Sequence, residues 1–155
     1  MTLLRFLHLL AILYYTAGVG NTVVPVWKAW RREALDERAL LLSDAQRNES
    51  TFLLPGLIAV AVTGYAWAAN EDINVITTGW LLALQIVVAV NVFIFVPLMG
   101  IGLRRVHYLS LQARKAGEVS EELRSALADN VPLVFGTLIA ASIPVMVWLP
   151  VFKPF

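Results

Sequence analysis

Four long apolar runs constrain the fold of this chain more strongly than any other feature of its sequence. Each run is close to the ~20 mostly apolar residues that an α-helix needs to cross ~30 Å of hydrocarbon. The strands of transmembrane barrels are only ~10 residues long and alternate in polarity, so the runs predict helices instead. We predict four membrane spans, at residues 3–27, 52–69, 79–103 and 132–152.

The composition agrees with a chain that lies mostly in lipid. Of its 155 residues, 59% are hydrophobic and 15% are charged, whereas soluble domains average ~45–50% apolar and ~25% charged residues. Residues 1–155 are therefore predicted to form a single membrane domain, an all-α integral membrane four-helix bundle in a lipid bilayer. The 12 Lys and Arg nearly balance the 11 Asp and Glu, which argues against a nucleic-acid partner. The absence of cysteine excludes disulfides and thiolate metal sites.

Ten of the 12 basic residues lie in the two long connections between the runs, and the other two are Arg5 and Lys153. Residues 28–51 and 104–131 carry five Lys or Arg each, and residues 70–78 carry none. Because basic loops stay on the cytoplasmic side, we predict both long connections inside, with both termini and the short connection outside. Helix-favouring residues, together with a stop at Gly117 and a cap at Ser120, predict that these connections are helical cytoplasmic extensions. Their charged surface is either a solvated helix face or a docking site for a partner.

An imidazole inside the first span is the clearest polar feature of the membrane region. His8, Tyr15 and Thr22 are seven residues apart, so they lie on one stripe of a helix, which we expect to face the bundle. In the predicted topology, Tyr65 and Gln85 also fall in the outer half of the membrane. The outer half of the membrane is therefore expected to gather His8, Tyr15, Tyr65 and Gln85, which are the candidate cofactor-binding residues, and His8 is the candidate metal ligand among them.

A neutral imidazole in this place could ligate haem iron or copper, or carry a proton. The alternative is a structural histidine that is hydrogen-bonded to Gln85 or to a tyrosine. His107 follows the third span at the opposite side of the membrane, so both histidines cannot ligate one metal. A metal on His8 therefore needs a different second ligand, an open position or a second subunit. No HExxH, GxxxxGK[ST] or GxSxG motif occurs, and catalytic residues stay unassigned.

Several short motifs resemble known membrane families. Residues 5–12, followed by Gly18, resemble the first helix of a bacterial family of predicted integral membrane proteins. They also resemble HemJ-type protoporphyrinogen oxidases and, more loosely, the CopD copper-resistance family. In the HemJ-type enzymes a Leu-His pair opens the first helix and a glycine follows ten residues after the histidine, as here. Further similarities lie at Pro55, Thr63-Gly64, Gly79-Trp80, Asn130-Val131-Pro132 and Lys153-Pro154-Phe155.

The resemblance implies haem b in a four-helix bundle of a bacterial inner membrane, with His8 as the ligand. It also implies a homo-oligomer or a membrane complex and, for activity, a membrane oxidoreductase of the protoporphyrinogen-oxidase type. HemJ-type enzymes carry a lysine where this chain has Leu84 and Gln85, so the predicted integral membrane family is the closer match. The alternative function is a non-catalytic structural or accessory subunit. A small transporter or channel is the third interpretation. It is disfavoured because the sequence shows no charge deep in the membrane and no evident inverted repeat with broken helices.

Overall fold

Helices make up almost all of the computed structural model, which describes residues 3–154. Between these two residues the chain forms seven α-helices and two π-helical turns, and no strand. The elements are α1 (Leu3–Trp30), α2 (Leu35–Asn48), the first π-helical turn (Glu49–Leu53), α3 (Leu54–Asn70), α4 (Gly79–Val90), the second π-helical turn (Asn91–Phe95), α5 (Val96–Ala116), α6 (Glu121–Ala128) and α7 (Val131–Phe152). The predicted domain, 1–155, includes three end residues that lie outside the described part.

Four helical stretches are long and apolar enough to cross a membrane, which confirms the predicted fold class. Two of them are longer than the predicted spans, because α2 continues through the first π-helical turn into α3 and α4 continues through the second into α5. These continuous helices hold 36 and 38 residues, or about 54 and 57 Å at 1.5 Å per residue. Since the hydrocarbon core is only ~30 Å thick, both extend well beyond it.

Each π-helical turn begins six residues before a proline, Pro55 in one case and Pro97 in the other. Proline lacks an N–H and clashes with the carbonyl four residues earlier, so the helix widens at that point. At the first turn the freed carbonyl is that of Thr51, and the Tyr14 hydroxyl of α1 donates a hydrogen bond to it at 2.7 Å. The proline thus creates both the widened turn and a cross-helix hydrogen bond.

The chain breaks between α1 and α2, at residues 31–34, whereas the sequence pattern favoured helix through this region. Arg38 accounts for the break, because its guanidinium turns back onto the end of α1. It donates to the carbonyl of Ala29 at 3.3 Å and also contacts the carbonyl of Arg32. These bonds satisfy carbonyls that a helix end leaves without partners.

The end of α5 and the start of α6 are as predicted. Gly117 adopts a left-handed conformation (φ +76°) that ends α5, and the Ser120 hydroxyl accepts a hydrogen bond from the Leu123 N–H at 3.2 Å. Asn130, with φ +52°, separates α6 from α7, and Pro132 lies in the first turn of α7.

One end of the bundle, which we call the basic end, is built from the C-terminal part of α1, α2, the C-terminal part of α5, and α6. There α2 packs against α5 and closes the ring of helices. The core of this end consists of fully buried aliphatic side chains, among them Val26, Leu42, Leu103, Val106 and Leu123. A second core fills the middle of the bundle and includes Tyr15, Val23, Leu53, Met99 and Ile139.

The opposite end, which we call the terminal end, contains residues 71–78 and both ends of the described chain. Here α1 packs on α3 and α4 packs on α7, but α3 and α4 do not pack closely together. No residue of α4 is fully buried. The bundle is therefore closed at the basic end and open between α3 and α4 at the terminal end.

Candidate functional site

His8 lies at the contact between α1 and α3, near the terminal end. Its Nδ1 is 2.9 Å from the Thr63 hydroxyl oxygen. That hydroxyl donates its own hydrogen to the carbonyl of Ala59 at 2.6 Å. Because a threonine hydroxyl has one hydrogen, Thr63 must accept from His8, and the proton of the neutral imidazole is assigned to Nδ1.

This hydrogen bond leaves the other ring nitrogen, Nε2, with a free lone pair. Within residues 3–154, Nε2 of His8 makes no hydrogen bond. A ring nitrogen that donates to a fixed acceptor while the second nitrogen is free is the arrangement by which proteins orient histidine ligands. His8 is thus held in the tautomer that a metal ligand requires.

Two residues of α3 shape the space around the imidazole. Gly64 lies under the ring edge, and a Cβ added there would be 3.0 Å from His8 Cε1. Trp67 lies beside the ring with 5.7 Å between the ring centroids. Gly64 therefore lets α3 approach the imidazole closely, and Trp67 limits the directions in which it can turn.

An ionic contact ties α1 to the end of α3 above the imidazole. The Arg5 guanidinium lies 5.0 Å from the Trp67 ring centroid and 3.9 Å from a carboxylate oxygen of Glu71. The Trp67 indole N–H donates to the same Glu71 oxygen at 3.3 Å. Both side chains of the ion pair are substantially exposed, so this contact orients Trp67 more than it stabilises the fold.

Within the described residues, the other predicted cofactor-binding residues make no hydrogen bond to His8. Tyr65 donates to the side-chain oxygen of Gln85 at 2.8 Å, and this bond bridges the opening between α3 and α4. Gln85 in turn donates to the carbonyl of Val75 at 2.6 Å. Tyr15 is buried in the central core, where its hydroxyl has no hydrogen-bond partner within the described residues. Among these four residues, the structure joins Tyr65 to Gln85 by a hydrogen bond, whereas His8 is bonded to Thr63.

His107 lies at the basic end, where its Nδ1–H contacts the side-chain oxygen of Gln46. Burial lowers the pKa of His107, and the charge of Arg114 lowers that pKa further. The two histidines lie at opposite ends of the bundle. Among residues 3–154, no group of three or more His, Cys, Asp or Glu side chains could hold a metal ion.

Sequence reasoning missed the partners of His8 on α3. Thr63, Trp67 and Glu71 follow one another at four-residue spacing, and Arg5 precedes His8 by three residues. Such spacing places each set on one helix face, so two facing stripes were readable from the sequence. Which stripe meets which depends on the packing of α1 against α3.

Comparison with known proteins identifies the family of this chain. A family model described as "Predicted integral membrane protein (DUF2269)" matches residues 2–154. The chain belongs to this family. No curated protein matches it, and no solved structure matches it. Membership of the DUF2269 family agrees with four candidate spans and makes this chain an integral membrane protein. The HemJ and CopD relationships stay predictions.

Proposed function

We propose that this DUF2269-family protein is a haem- or porphyrin-associated membrane protein in which His8 Nε2 holds the iron. The observation that carries the proposal is the pair of hydrogen bonds from His8 Nδ1 to Thr63 and from Thr63 to Ala59. They leave Nε2 as a lone-pair donor of fixed orientation. Bound haem would supply one-electron redox chemistry. The chain's own part is to orient the imidazole and keep Nε2 unprotonated.

The open terminal end supports the same proposal. Tyr65 and Gln85 bridge the opening between α3 and α4 through one hydrogen bond, and no residue of α4 is fully buried. A planar macrocycle needs such a lightly packed region, and a hydroxyl and an amide at its edge can bind polar substituents. We assign this role to Tyr65 and Gln85. Tyr15 carries an unpartnered hydroxyl deeper in the bundle, within the described residues. A macrocycle would contact this hydroxyl only if the macrocycle extends into the central core.

Absorbance spectroscopy on protein expressed with added haem tests the proposal. We expect a Soret band from about one haem per binding site, lost in His8→Ala. His107→Ala is the matched control, because it removes the other histidine at the far end and should leave the band unchanged. Thr63→Val should keep His8 but loosen its orientation, with weaker haem retention. A wild-type protein without a Soret band, or a band that survives His8→Ala, would refute the proposal.

The oxidoreductase activity implied by the HemJ resemblance is measured on the same preparation. Porphyrinogen oxidation by the wild type that disappears in His8→Ala would support the enzymatic function. Haem binding without turnover would keep the binding proposal and remove the enzymatic one. Analytical ultracentrifugation of the haem-loaded protein tests the proposed homo-oligomer, since a second copy is one source of a second axial ligand.

We also propose a bacterial inner-membrane location with both termini outside and the basic end in the cytoplasm. The Lys and Arg of residues 28–51 and 104–131 support this orientation. The chain has no cysteine, so single cysteines can report sidedness. In intact cells, a membrane-impermeant maleimide should label Thr77→Cys and not Asp44→Cys. The reverse labelling pattern would invert the proposed topology.

An accessory subunit of a membrane complex is the second candidate function. It is favoured by the charged segments that extend past the spans at the basic end, which expose Arg32, Glu37, Glu121 and Arg124. This function predicts that His8→Ala leaves assembly intact and that the protein elutes with a larger complex in mild detergent. Charge reversal at Arg124 should then release it from that complex, whereas reversal at exposed Asp72, at the other end, should not.

A further inference from the structure

Glu49 is the only acidic side chain that is buried among the described residues, with 3% of its surface exposed. It is the first residue of the first π-helical turn, where the helix is widened ahead of Pro55. Its carboxylate makes no hydrogen bond or ion pair within residues 3–154. Single π-helical turns inside α-helices frequently mark functional positions.

A glycine on α5 makes room for the carboxyl group. A Cβ added to Gly100 would overlap Glu49 Oε1, and the same Cβ would lie 3.2 Å from a terminal nitrogen of Arg104. The Glu49 carboxyl and this Arg104 nitrogen therefore lie on the same face of Gly100, both next to the position of the added Cβ. Their charged atoms do not come within the 4.0 Å of an ion pair, and the Arg104 side chain is largely exposed.

A buried hydroxyl lies at the same level on α1. Gly18 meets the backbone of Phe52 and Leu53, and the Asn48 amide donates to the carbonyl of Asn21 at 3.2 Å. This antiparallel register places Thr22, one turn after Gly18, at the level of Glu49. Thr22 is fully buried, and its hydroxyl has no partner within the described residues.

These surroundings determine which ligand the carboxyl can hold. An ionised carboxylate that is buried without hydrogen bonds is strongly disfavoured, and it takes up a proton instead. A metal cation would need several oxygen ligands, and no group of three or more candidate side chains exists among residues 3–154. The Arg104 guanidinium on the same face of Gly100 would also repel a metal cation. A proton needs only the one carboxyl group.

We propose that Glu49 is a proton-binding site inside the bundle. The neutral carboxylic acid is the resting form, and it releases its proton to water when the exposed Arg104 side chain turns toward it as the counter-ion. The charged group beside it is Arg104 from α5, and Thr22 of α1 lies at its level. The next titratable group on α5, His107, is turned toward Gln46. This site is independent of the proposed haem ligand, which lies at the other end of α1.

Infrared spectroscopy of the protein in lipid nanodiscs tests the proposal, because a protonated carboxyl has its own C=O band. An exposed glutamate has a pKa of about 4.3, so near pH 7 its ionised form is favoured about 500-fold. We expect the wild type at this pH to show the band of one protonated carboxyl per chain, lost in Glu49→Gln. Glu118→Gln removes an exposed carboxyl and should leave the band unchanged.

Arg104→Gln tests separately how the positive charge of Arg104 affects proton binding by Glu49. If Glu49 carries a proton, removing the cation should raise its proton affinity at least about tenfold, so that the band persists to higher pH. The proposal is overturned if the wild type lacks the band near pH 7, or if Arg104→Gln creates a band that the wild type lacks. The latter result would mean that Glu49 is an ionised partner of Arg104. Should Glu49→Gln fail to fold, carbon-13 labelling of glutamate in the wild type identifies the band by its isotope shift.

Discussion

The basic end and the terminal end of the bundle are built from the same four helical stretches but are packed differently. At the basic end α2 closes against α5, and aliphatic side chains such as Leu42, Leu103 and Leu123 are completely buried. At the terminal end α3 and α4 stay apart, and a single hydrogen bond between Tyr65 and Gln85 bridges them.

The surrounding solvent explains the difference. The basic-end core lies largely on helix segments that extend past the apolar spans, such as α2, α6 and the last turns of α5. There water drives apolar side chains together. Lipid tails are as apolar as leucine, so inside the membrane that driving force is absent and helices associate through close packing and polar contacts. A gap between α3 and α4 therefore costs little free energy.

Among the variants that compare the two ends, truncation of a buried core leucine should change the free energy of unfolding most. Leu103→Ala empties a fully buried position of the basic-end core and should lower the free energy of unfolding by about 2–5 kcal/mol. Leu82→Ala makes the same chemical change on the exposed side of α4 and should cost less than about 1 kcal/mol. Denaturant titration in detergent micelles measures both. If the two variants lose the same free energy of unfolding, the basic end is not packed more tightly than α4.

Added methyl groups test how closely the helices approach. A Cβ at Gly18 would lie 2.8 Å from backbone atoms of Phe52 and Leu53, which cannot move aside, so Gly18→Ala should cost about 1–3 kcal/mol. At Gly64 the nearest atoms belong to the His8 side chain, which can turn, so Gly64→Ala should cost less.

Gly20→Ala is the control for both glycine variants, because no atom lies within 4 Å of the added methyl group. It should be neutral or slightly stabilising. A Gly18→Ala variant as stable as Gly20→Ala would show that α1 and the first π-helical turn are not in contact as described. Haem retention by Gly64→Ala adds a second measurement, since a displaced imidazole should hold iron less well.

The Tyr14 and Tyr65 hydroxyls each make one hydrogen bond between helices, and we expect the bond of Tyr14 to contribute more to stability. Tyr14→Phe leaves the Thr51 carbonyl without a donor next to Pro55 and should cost about 1 kcal/mol. Tyr65→Phe removes the bridge across the opening and should cost about 0.6 kcal/mol, the typical value for such bonds in membranes. If Tyr65→Phe proves the more damaging variant in the same unfolding assay, the terminal end is held more tightly than its packing indicates.

His107 should make the stability of the basic end depend weakly on pH. Burial, followed by the charge of Arg114, lowers the pKa of this histidine in the folded protein. Below pH ~6.5 the unfolded chain therefore binds a proton that the folded chain resists, and stability falls as the pH drops toward the lowered pKa. His107→Gln should remove that part of the decline. Unfolding curves of both proteins near pH 5 and 7 test this, and parallel declines would contradict it.

Residue chemistry along the chain predicted much of the fold but less of the candidate site. Run lengths predicted the four crossings, and Gly117, Ser120 and Pro132 marked helix ends correctly because caps and stops depend on neighbouring residues. Tyr65 and Gln85 were predicted near one another and are hydrogen-bonded. The link from His8 to Thr63 was not predicted, since it depends on how α1 rotates against α3.

Glu49 shows most clearly where local reasoning failed. By composition it belongs to a charged connection and was treated as part of a polar extension, yet it is buried at the first π-helical turn. The amino-acid sequence alone determined that this chain is helical and crosses a membrane, because apolar run length and caps act over a few residues. Only the tertiary structure decided which end closes, which nitrogen of His8 is free and which carboxyl is buried. Those outcomes depend on contacts between residues distant in the chain.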